Sequence, residues 1–392
     1  MRRLAILLAI VMILPIAAVA FEPERTVDIS IERKLTSYDL GVNGGEISPN
    51  AETVLIFGED GYAHLLSAKD ADDESKDVRL EKETDFALND ATWHPGGKSA
   101  LIVGDSGTVL RFNSTNFALG EAEGSSAMAG LDINAIHFTA ASSVAYLGTD
   151  DGQIWKYYAD TFTLLNDDSS TKITDIDCLK NKNICVVGTV NDGVAIIDQA
   201  DSVSWVSNSQ KYTWMGISCE DPTMNSCTGF ASGLTAVPIE IDVLNIANSE
   251  LGVSSPFGQL DGDIIGDSSG VDSTSIFALA PLGMVRWNQY TEEAFLMFSN
   301  ENATEEDVIL GGDIFAVAWE NSEYSGFFVT SQGRIVSFEP ALEVDDGDIP
   351  YILVIIVALC VPGVILGLIY WNSPWLQRKY ANLFKRKKSG GK

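Results

Sequence analysis

The stretch GTDDGQIW, residues 148–155, reads as the tip of a short β-hairpin, because Asp-Gly between two strands favours a tight turn. Hairpins of the same kind recur along the chain. Their turn glycines are Gly61, Gly107, Gly152, Gly193, Gly233, Gly283 and Gly333. Successive glycines are 46, 45, 41, 40, 50 and 50 residues apart. Repeats of about 40–50 residues with several short strands are typical of the blades of a β-propeller.

Each repeat reads as four antiparallel strands, which we name A to D from the propeller axis outward. In the third repeat they lie near residues 133–139, 144–150, 153–159 and 162–167. The B strands are continuous apolar runs, as expected for strands packed between neighbouring blades. One small sheet cannot bury both of its faces alone, so the repeats are expected to stack around an axis.

The seventh repeat has three strands before the pattern ends near Pro340. The segment 27–35 alternates apolar and polar residues and precedes the first repeat, which makes it the candidate for the missing outer strand. Closing the ring with this strand removes an open sheet edge. We therefore predict an all-β fold, a seven-bladed β-propeller within residues 21–340 whose N-terminal strand closes the last blade.

Three short motifs resemble those of known propeller families. The turns SPN (48–50) and HPGGK (94–98) are similar to the S-P-D-G-K turn between strands A and B of WD-repeat and YVTN-type propellers. The hairpin at 148–155 resembles both their G-S-x-D-G-x-I-x-x-W hairpin and the G-T-x-D-G-x-L-Y-A-L-D hairpin of quinoprotein-like propellers. The resemblance covers about residues 27–340. It implies the fold and not an activity, since propellers host many functions.

Two apolar segments flank the repeats. Residues 1–20 start with a basic pair, continue as an apolar run and end in Ala-Val-Ala, which describes a cleaved signal peptide; an uncleaved anchor is the alternative. Residues 351–371 carry no charge and are long enough for a transmembrane helix across about 30 Å of hydrocarbon. Residues 341–350 are the linker, and the basic residues of 372–392 place this tail in the cytoplasm. We expect a single-pass type I protein of the cell membrane with its propeller outside.

The acidic residues are confined to the expected ectodomain. Nine of the 25 basic residues lie in the terminal segments and all 55 acidic residues lie between them, so residues 21–348 carry 16 bases and a net charge of −39. Nucleic acid is excluded as a partner, because phosphate contacts need a positive field. We expect a cationic protein or surface ligand, with simple solubility as the alternative explanation of the charge. The helix and the basic tail are expected to contact the lipid bilayer.

Four of the five cysteines flank equivalent A–B turns. Cys178 and Cys185 bracket this turn in the fourth repeat, and Cys219 and Cys227 bracket it in the fifth. Neighbours across a hairpin come close enough to bond, so we predict the disulfides Cys178–Cys185 and Cys219–Cys227. A zinc site is the alternative, but these spacings do not fit and no histidine lies nearby. The fifth, Cys360, reads as a small apolar residue of the span.

The B–C hairpins place carboxylates on one face of the ring. Asp60, Asp105, Asp151 and Asp192 are candidates for calcium ligands or for contacts to a basic partner. The alternative is turn chemistry, because Asp-Gly is what a tight hairpin favours. Strand C of the last blade ends at the opposite face, so we expect the acidic face to point away from the membrane.

Other motifs add candidate modifications and contacts. Asn113 and Asn302 lie in N-glycosylation sequons. Gly363 and Gly367 form a G-x-x-x-G in the span, a possible homodimer contact, although small residues are also common in lipid. The chain has three histidines and none of the common catalytic fingerprints, so we expect neither a histidine metal site nor a cofactor other than calcium.

These observations favour a binding or scaffold module, acting as a receptor, an adhesion module or an assembly factor, and not an enzyme. The alternative is an exported propeller enzyme, either quinoprotein-like or a glycan hydrolase or lyase. Such an enzyme needs convergent basic residues or carboxylates in a pocket on the axis. The basic residues on the strands are scattered over the blades.

Overall fold

The computed structural model describes residues 26–341, apart from 141, 258–259, 261, 272 and 306–312, and residues 368–388. The chain divides into two compact units, residues 1–341 and 342–392. The predicted signal peptide, nearly all of the predicted linker and residues 351–367 of the predicted span lie outside the described residues.

The first unit is a ring of seven small antiparallel sheets. The first strand of the described residues is β1 (Val27–Lys34), which belongs to the last blade. Blade 1 contains β2 (Val42–Ile47), β3 (Thr53–Gly58), β4 (Ala63–Ser67) and β5 (Val78–Arg79). Blade 2 contains β6 (Leu88–Trp93), β7 (Ser99–Gly104), β8 (Val109–Asn113) and β9 (Ala118–Glu121). Blade 3 contains β10 (Ile133–Phe138), β11 (Ala145–Thr149), β12 (Ile154–Tyr158) and β13 (Thr161–Asn166).

The remaining blades follow the same plan. Blade 4 contains β14 (Ile173–Cys178), β15 (Cys185–Thr189), β16 (Val194–Ile197) and β17 (Val203–Trp205). Blade 5 contains β18 (Trp214–Ser218), β19 (Ser226–Ala231), β20 (Thr235–Glu240), β21 (Glu250–Leu251) and β22 (Ser255–Pro256). Blade 6 contains β23 (Asp263–Ser269), β24 (Thr274–Ala280), β25 (Gly283–Asn288) and β26 (Glu293–Phe298), and is followed by helix α1 (Asn300–Glu305). Blade 7 contains β27 (Phe315–Ser322), β28 (Ser325–Thr330) and β29 (Arg334–Pro340).

The N-terminal strand closes the ring, as predicted. The order of strands in the last blade is β1-β29-β28-β27. Strands β1 and β29 run antiparallel, with Val27 opposite Pro340 and Lys34 opposite Arg334. The two ends of the propeller are therefore held in one sheet.

The apolar core lies between the blades. Within the described residues it divides into seven clusters, and each cluster is shared by two neighbouring blades. Between blades 7 and 1, for example, Trp319 is 1% exposed and its indole nitrogen donates to the carbonyl of Ala68 at 2.8 Å. Burial of both faces of each sheet explains why the B strands are apolar throughout.

The ring has two faces, which we name by their connections. The hairpin face carries the B–C hairpins and the D–A connections, and the turn face carries the A–B and C–D turns. Short 3₁₀ turns occur at Glu59–Gly61, Glu74–Lys76, Asp105–Gly107, Ser125–Met128, Ser209–Lys211 and Ile246–Asn248. Strand β29 ends at the turn face, as expected from the sequence.

The second unit contains helix α2 (Pro374–Lys388), which coincides with the predicted basic tail. No helix among the described residues is both long and apolar enough to span a membrane. The predicted transmembrane helix is thus not confirmed, since most of its residues are not described.

Candidate functional site

The innermost strands form a continuous ring around the axis. Each A strand contacts the A strand of both neighbouring blades, in the order β2, β6, β10, β14, β18, β23, β27 and back to β2. Each also carries a one-residue bulge near the hairpin face. The bulged residues are Asn43, Asn89, Asn134, Thr174, Met215, Ile265 and Ala316. A bulge bends its strand and redirects the side chains that follow it.

Two of the bulged asparagines link neighbouring blades. The side-chain nitrogen of Asn43 donates to the carbonyl of Leu88 at 3.0 Å, and that of Asn89 donates to the carbonyl of Ile133 at 3.0 Å. Each bond runs from one A strand to the start of the next. The inner edge of each A strand has no neighbouring strand in its sheet. Side chains of the adjacent blade therefore supply hydrogen bonds to backbone groups of these strands.

Three aspartates on the inner strands make the same kind of bridge. Asp90 accepts from the N–H of Ile136 in the next blade at 2.7 Å. Asp175 accepts from Ile217 at 2.6 Å, and Asp177 accepts from Cys219 at 2.7 Å. The second oxygen of each carboxylate accepts from the N–H of the residue that follows it in the chain, at 2.6–2.8 Å. These carboxylates hold adjacent blades together.

Glu46 lies near the same carboxylates, and within the described part of the chain its carboxyl group makes no bridging bond of this kind. Burial raises the pKa of Glu46 to about 8, with further contributions from the charge of Asp90 in the next blade and of Asp177 and Glu220 in blades 4 and 5. The positive charge of Lys180 in blade 4 lowers the pKa of Glu46. Groups from opposite sides of the ring therefore interact across the axis. Glu46 keeps part of its surface in contact with solvent.

We call the interior of the ring of A strands the channel. Asp90 carries its second unusual carboxyl group. Burial raises its pKa to about 8, against the two backbone N–H bonds that favour the charged form. Burial also lowers the pKa of His137, so this imidazole is neutral near pH 7. The centre of the ring is thus rich in carboxyl groups, of which two hold protons well above their usual range.

One ion pair marks the end of the channel at the turn face. Lys180 approaches Glu220 to 3.2 Å. Burial alone would lower the pKa of Lys180, but the charges of Asp177 and Glu220 outweigh this effect and raise the pKa above its ordinary value. The cation therefore stays charged and offsets part of the negative charge of the channel.

Sequence reasoning missed this channel. A usable signal was present, because blades 1 to 5 carry a polar residue at the fifth position of strand A. These residues are Glu46, Thr92, His137, Asp177 and Ser218. Alignment of the repeats on their hairpin glycines places four of these residues in one column and Asp177 one position away, but it does not show that they meet near the axis.

Three of the four predicted carboxylates of the B–C hairpins accept hydrogen bonds from nearby residues. Asp105 accepts from the side chain of Asn89 at 2.8 Å, and Asp151 accepts from that of Gln153 at 2.9 Å. Asp192 accepts from the N–H of Ser170 at 2.8 Å, and this bond leads the causes that lower its pKa. Asp60 has a left-handed backbone with a φ of 53°.

The hairpin carboxylates do not converge on a metal. Among the residues that the structure describes, no group of three or more histidine, cysteine, aspartate or glutamate side chains has a geometry that could hold a metal ion. The geometry of the hairpins fits turn chemistry, and calcium binding stays an untested prediction.

Basic side chains on the C strands are used in ion pairs. The pairs are Arg111 with Asp160, Lys156 with Asp201, Arg286 with Glu320, and Arg334 with Asp313. The first three pairs join a C strand to the next blade. The scattered cations noted in the sequence therefore do not form a common pocket on the axis.

Both predicted disulfides are present. Cys178 and Cys185 lie directly opposite each other in the register of β14 and β15, with their Cα atoms 4.0 Å apart. The Cα atoms of Cys219 and Cys227 are 4.3 Å apart. Cys360, Gly363 and Gly367 lie outside the described residues.

The two sequons differ in their surroundings. Asn113 is exposed at the end of β8, and its side-chain oxygen accepts from the N–H of Thr115 at 2.9 Å. Asn302 is half-buried in α1, where its oxygen accepts from the N–H and the hydroxyl of Ser299 at 3.0 and 2.9 Å. The structure therefore favours Asn113 as the more accessible of the two.

No protein-family model and no curated protein matches the chain. The resemblance to WD-repeat, YVTN-type and quinoprotein-like propellers holds at the level of the fold, as the seven sheets show.

Proposed function

We propose that the chain is a membrane-anchored, extracytoplasmic binding or assembly module that holds a cationic protein or surface ligand on the hairpin face of its propeller. The observation that carries this proposal is the charge of that face. Exposed carboxylates from blades 1 to 4 lie on it, namely Glu59, Asp60, Asp132, Asp150, Asp151, Asp167 and Asp168. Within the described part of the chain, one of them has an ion-pair partner, Asp150 with Lys172 at 4.0 Å.

The closed ring supports a binding role. Side-chain bridges and seven shared apolar clusters hold the blades in place, and local bonds hold several of the hairpin carboxylates. A partner would therefore meet charges that are already positioned, which reduces the loss of conformational entropy on binding. The negative field of the face would also speed the approach of a cationic partner.

The proposed location rests on the sequence and on the cysteines. Disulfides persist in oxidising compartments, so the two bonded pairs support export of the propeller. Residues 1–20 support entry to the secretory route, and residues 351–371 with the basic tail 372–392 support the type I anchor and lipid contact. Dimerisation through Gly363 and Gly367 stays a prediction of the sequence.

The test uses photo-crosslinking of the full-length protein in its native membranes, followed by quantification of the captured partners. Replacing Asp60, Asp105, Asp151 and Asp192 together by asparagine should weaken capture about tenfold, since each charge pair formed at the surface contributes about 0.2–1 kcal/mol. Capture by this variant should also depend less on the salt concentration.

The matched control replaces four exposed acidic residues of the turn face, Glu52, Asp72, Glu292 and Glu293, by their amides. This variant has the same net charge and should capture partners as well as the natural protein. Equal capture by all three proteins would contradict the proposal and would leave the hairpin carboxylates as turn residues.

A further inference from the structure

A pocket of about 480 Å³ opens on the turn face between blades 2 and 3. Its walls come from the A–B and C–D turns of blade 2, residues 94–98 and 113–115, and from Ser143 and residues 159–160 of blade 3. The pocket is therefore on the face opposite the acidic hairpins and is independent of the function proposed above. Its volume falls in the range of small-molecule sites, about 300–1,000 Å³.

The floor of the pocket is apolar. Leu101 and Phe138 line it and are 2% and 5% exposed. Tyr157 lies beside them and is 4% exposed, with its ring centroid 6.4 Å from that of Phe138. A ligand in this pocket would rest a carbon skeleton against buried rings, which favours an organic molecule over a bare inorganic ion.

His94 and Ser143 provide a hydrogen-bond donor. The Nδ1 atom of His94 accepts from the N–H of Gly96 at 3.0 Å, so we assign the N–H of the ring to Nε2. Nε2 then donates to the hydroxyl oxygen of Ser143 at 2.9 Å. With its oxygen engaged as acceptor, the hydroxyl of Ser143 keeps its own proton for a ligand.

Arg111 provides further donors. Asp160 accepts from the hydroxyl of Tyr157 at 2.8 Å and from Nη2 of Arg111. Tyr157 is also bonded to the same Nη2 atom. Because both contacts use Nη2, neither requires the Nε and Nη1 groups of the guanidinium, which can donate to a bound oxyanion.

Lys98 gives the boundary between blades 2 and 3, which we call a seam, an excess of positive charge. It is exposed at the rim of the pocket and forms no ion pair with any residue of the described part of the chain. In the next seam, by contrast, Lys156 is balanced by Asp201 at 2.6 Å.

We propose that this pocket binds a small organic acid. The carboxylate lies between Lys98, Arg111 and Ser143, and the carbon skeleton packs on Phe138 and Leu101. Charge-assisted bonds to lysine and arginine suit a carboxylate. The acid can be a free metabolite or the terminal acidic sugar of a glycan, since both present the same group on a compact skeleton.

The experiment is isothermal titration calorimetry on the full-length protein at constant ionic strength. The probes are glucuronate, a glucuronate-terminated oligosaccharide, glucose and inorganic phosphate. We expect saturable binding of a glucuronate probe, no binding of glucose and weaker binding of phosphate. Tighter binding of the monosaccharide supports a free acid as the ligand, and tighter binding of the oligosaccharide supports a glycan.

Two substitutions test the named donors. Lys98→Gln should weaken glucuronate binding about tenfold, and Ser143→Ala about threefold to tenfold. The matched control is Lys69→Gln, which removes an exposed lysine from the C–D connection of blade 1 on the same face. It changes the net charge equally and should leave the affinity unchanged.

Three results would overturn the proposal. The first is the absence of saturable binding by either glucuronate probe. The second is phosphate binding as tight as that of glucuronate, which would exclude an organic acid as the preferred ligand. The third is an equal loss of affinity in Lys98→Gln and Lys69→Gln, which would show a general charge effect and no site.

Discussion

Glu46 shows how the closed ring changes the chemistry of one side chain. Burial near other carboxylates raises its pKa from 4.5 to about 8. The folded protein therefore binds this proton more tightly than the unfolded chain does. Ionisation of Glu46 therefore does not affect the free energy of unfolding below about pH 4.5. It lowers this free energy as the pH rises from about 4.5 to about 8.

Replacing Glu46 by glutamine should stabilise the propeller at alkaline pH, because glutamine has no charge to bury. Glu46 is partly exposed to solvent, which screens part of its charge, so we expect a gain of about 1–2 kcal/mol at pH 9 and almost none at pH 5. Urea unfolding of both proteins at the two pH values measures the difference. The exposed Glu123→Gln serves as control, and an equal effect in both variants at pH 9 would contradict this explanation.

Each inner strand needs partners for its free edge, and different blades meet this need differently. In blades 2 and 4, aspartates accept hydrogen bonds from backbone N–H groups of the next blade. In blades 1 and 2, the asparagine at the bulge donates a hydrogen bond to a backbone carbonyl of the next blade. Blade 4 adds the disulfide between β14 and β15, and blade 5 adds a second disulfide at the same turn. In each of these two blades a covalent bond therefore joins strands A and B beside the turn that connects them.

Removing the first disulfide should lower the stability of the propeller only moderately. Cys178 and Cys185 close a short loop, with a sequence separation of 7, so the loop-entropy relation gives about 2–3 kcal/mol at most. We expect the variant Cys178→Ala/Cys185→Ala to fold and to unfold at a lower urea concentration. Cys360→Ala removes a thiol outside both pairs and should have no effect, and an unchanged midpoint in the double variant would contradict the prediction.

At the scale of the whole molecule, one strand decides whether the ring closes. Strand β1 pairs with β29, and Arg33 of β1 reaches into blade 1, where it makes two bonds of 2.9 and 2.8 Å to Asp77. The two side chains are 14% and 10% exposed. Burial alone would raise the pKa of Asp77, but hydrogen bonds from His64 and Arg33 outweigh it and hold the pKa below its ordinary value.

Arg33→Ala should destabilise the propeller by about 3–5 kcal/mol, because it leaves the buried carboxylate of Asp77 without this partner. Lys34→Ala is the control on the same strand. Lys34 pairs with Asp39 at 2.7 Å, but Asp39 is 66% exposed, so we expect a loss of less than about 1 kcal/mol. Thermal unfolding of the two variants compares them directly, and similar melting temperatures would show that the Arg33 pair does not hold the closure.

The same pair should make closure sensitive to acid. The lowered pKa of Asp77 means that its contribution is complete above the unfolded value of 3.8 and is lost as the pH falls through the folded pKa. Arg33→Ala should therefore lose less stability than the natural protein between pH 4 and pH 2, as measured by unfolding at each pH.

Local patterns were enough to predict much of this fold. The spacing of the turn glycines from Gly61 to Gly333 predicted the number of blades, because each blade is built from neighbouring hairpins. The alternation in residues 27–35 predicted the closing strand. The cysteine pairs were predictable for the same reason, since each pair flanks a single turn and needs no information about distant parts of the chain.

The candidate sites were predicted less well. The hairpin carboxylates were recognised from their turns, but Asp105, Asp151 and Asp192 make local hydrogen bonds that no spacing reveals. The pocket between blades 2 and 3 was not foreseen. Its donors Lys98 and Arg111 come from blade 2 and Ser143 comes from blade 3, so they approach one another only where these two blades pack together.

The sequence by itself therefore determined the repeat, the ring and its closing strand, because these follow from periodicity and from contacts between neighbours in the chain. Only the tertiary structure decided which polar residues meet. Asp90 accepts a hydrogen bond from the N–H of Ile136 in the next blade. The charge of Glu220, on the far side of the axis, raises the pKa of Glu46. Such contacts depend on the geometry of the closed ring, in which burial and charge from distant repeats act on a single group.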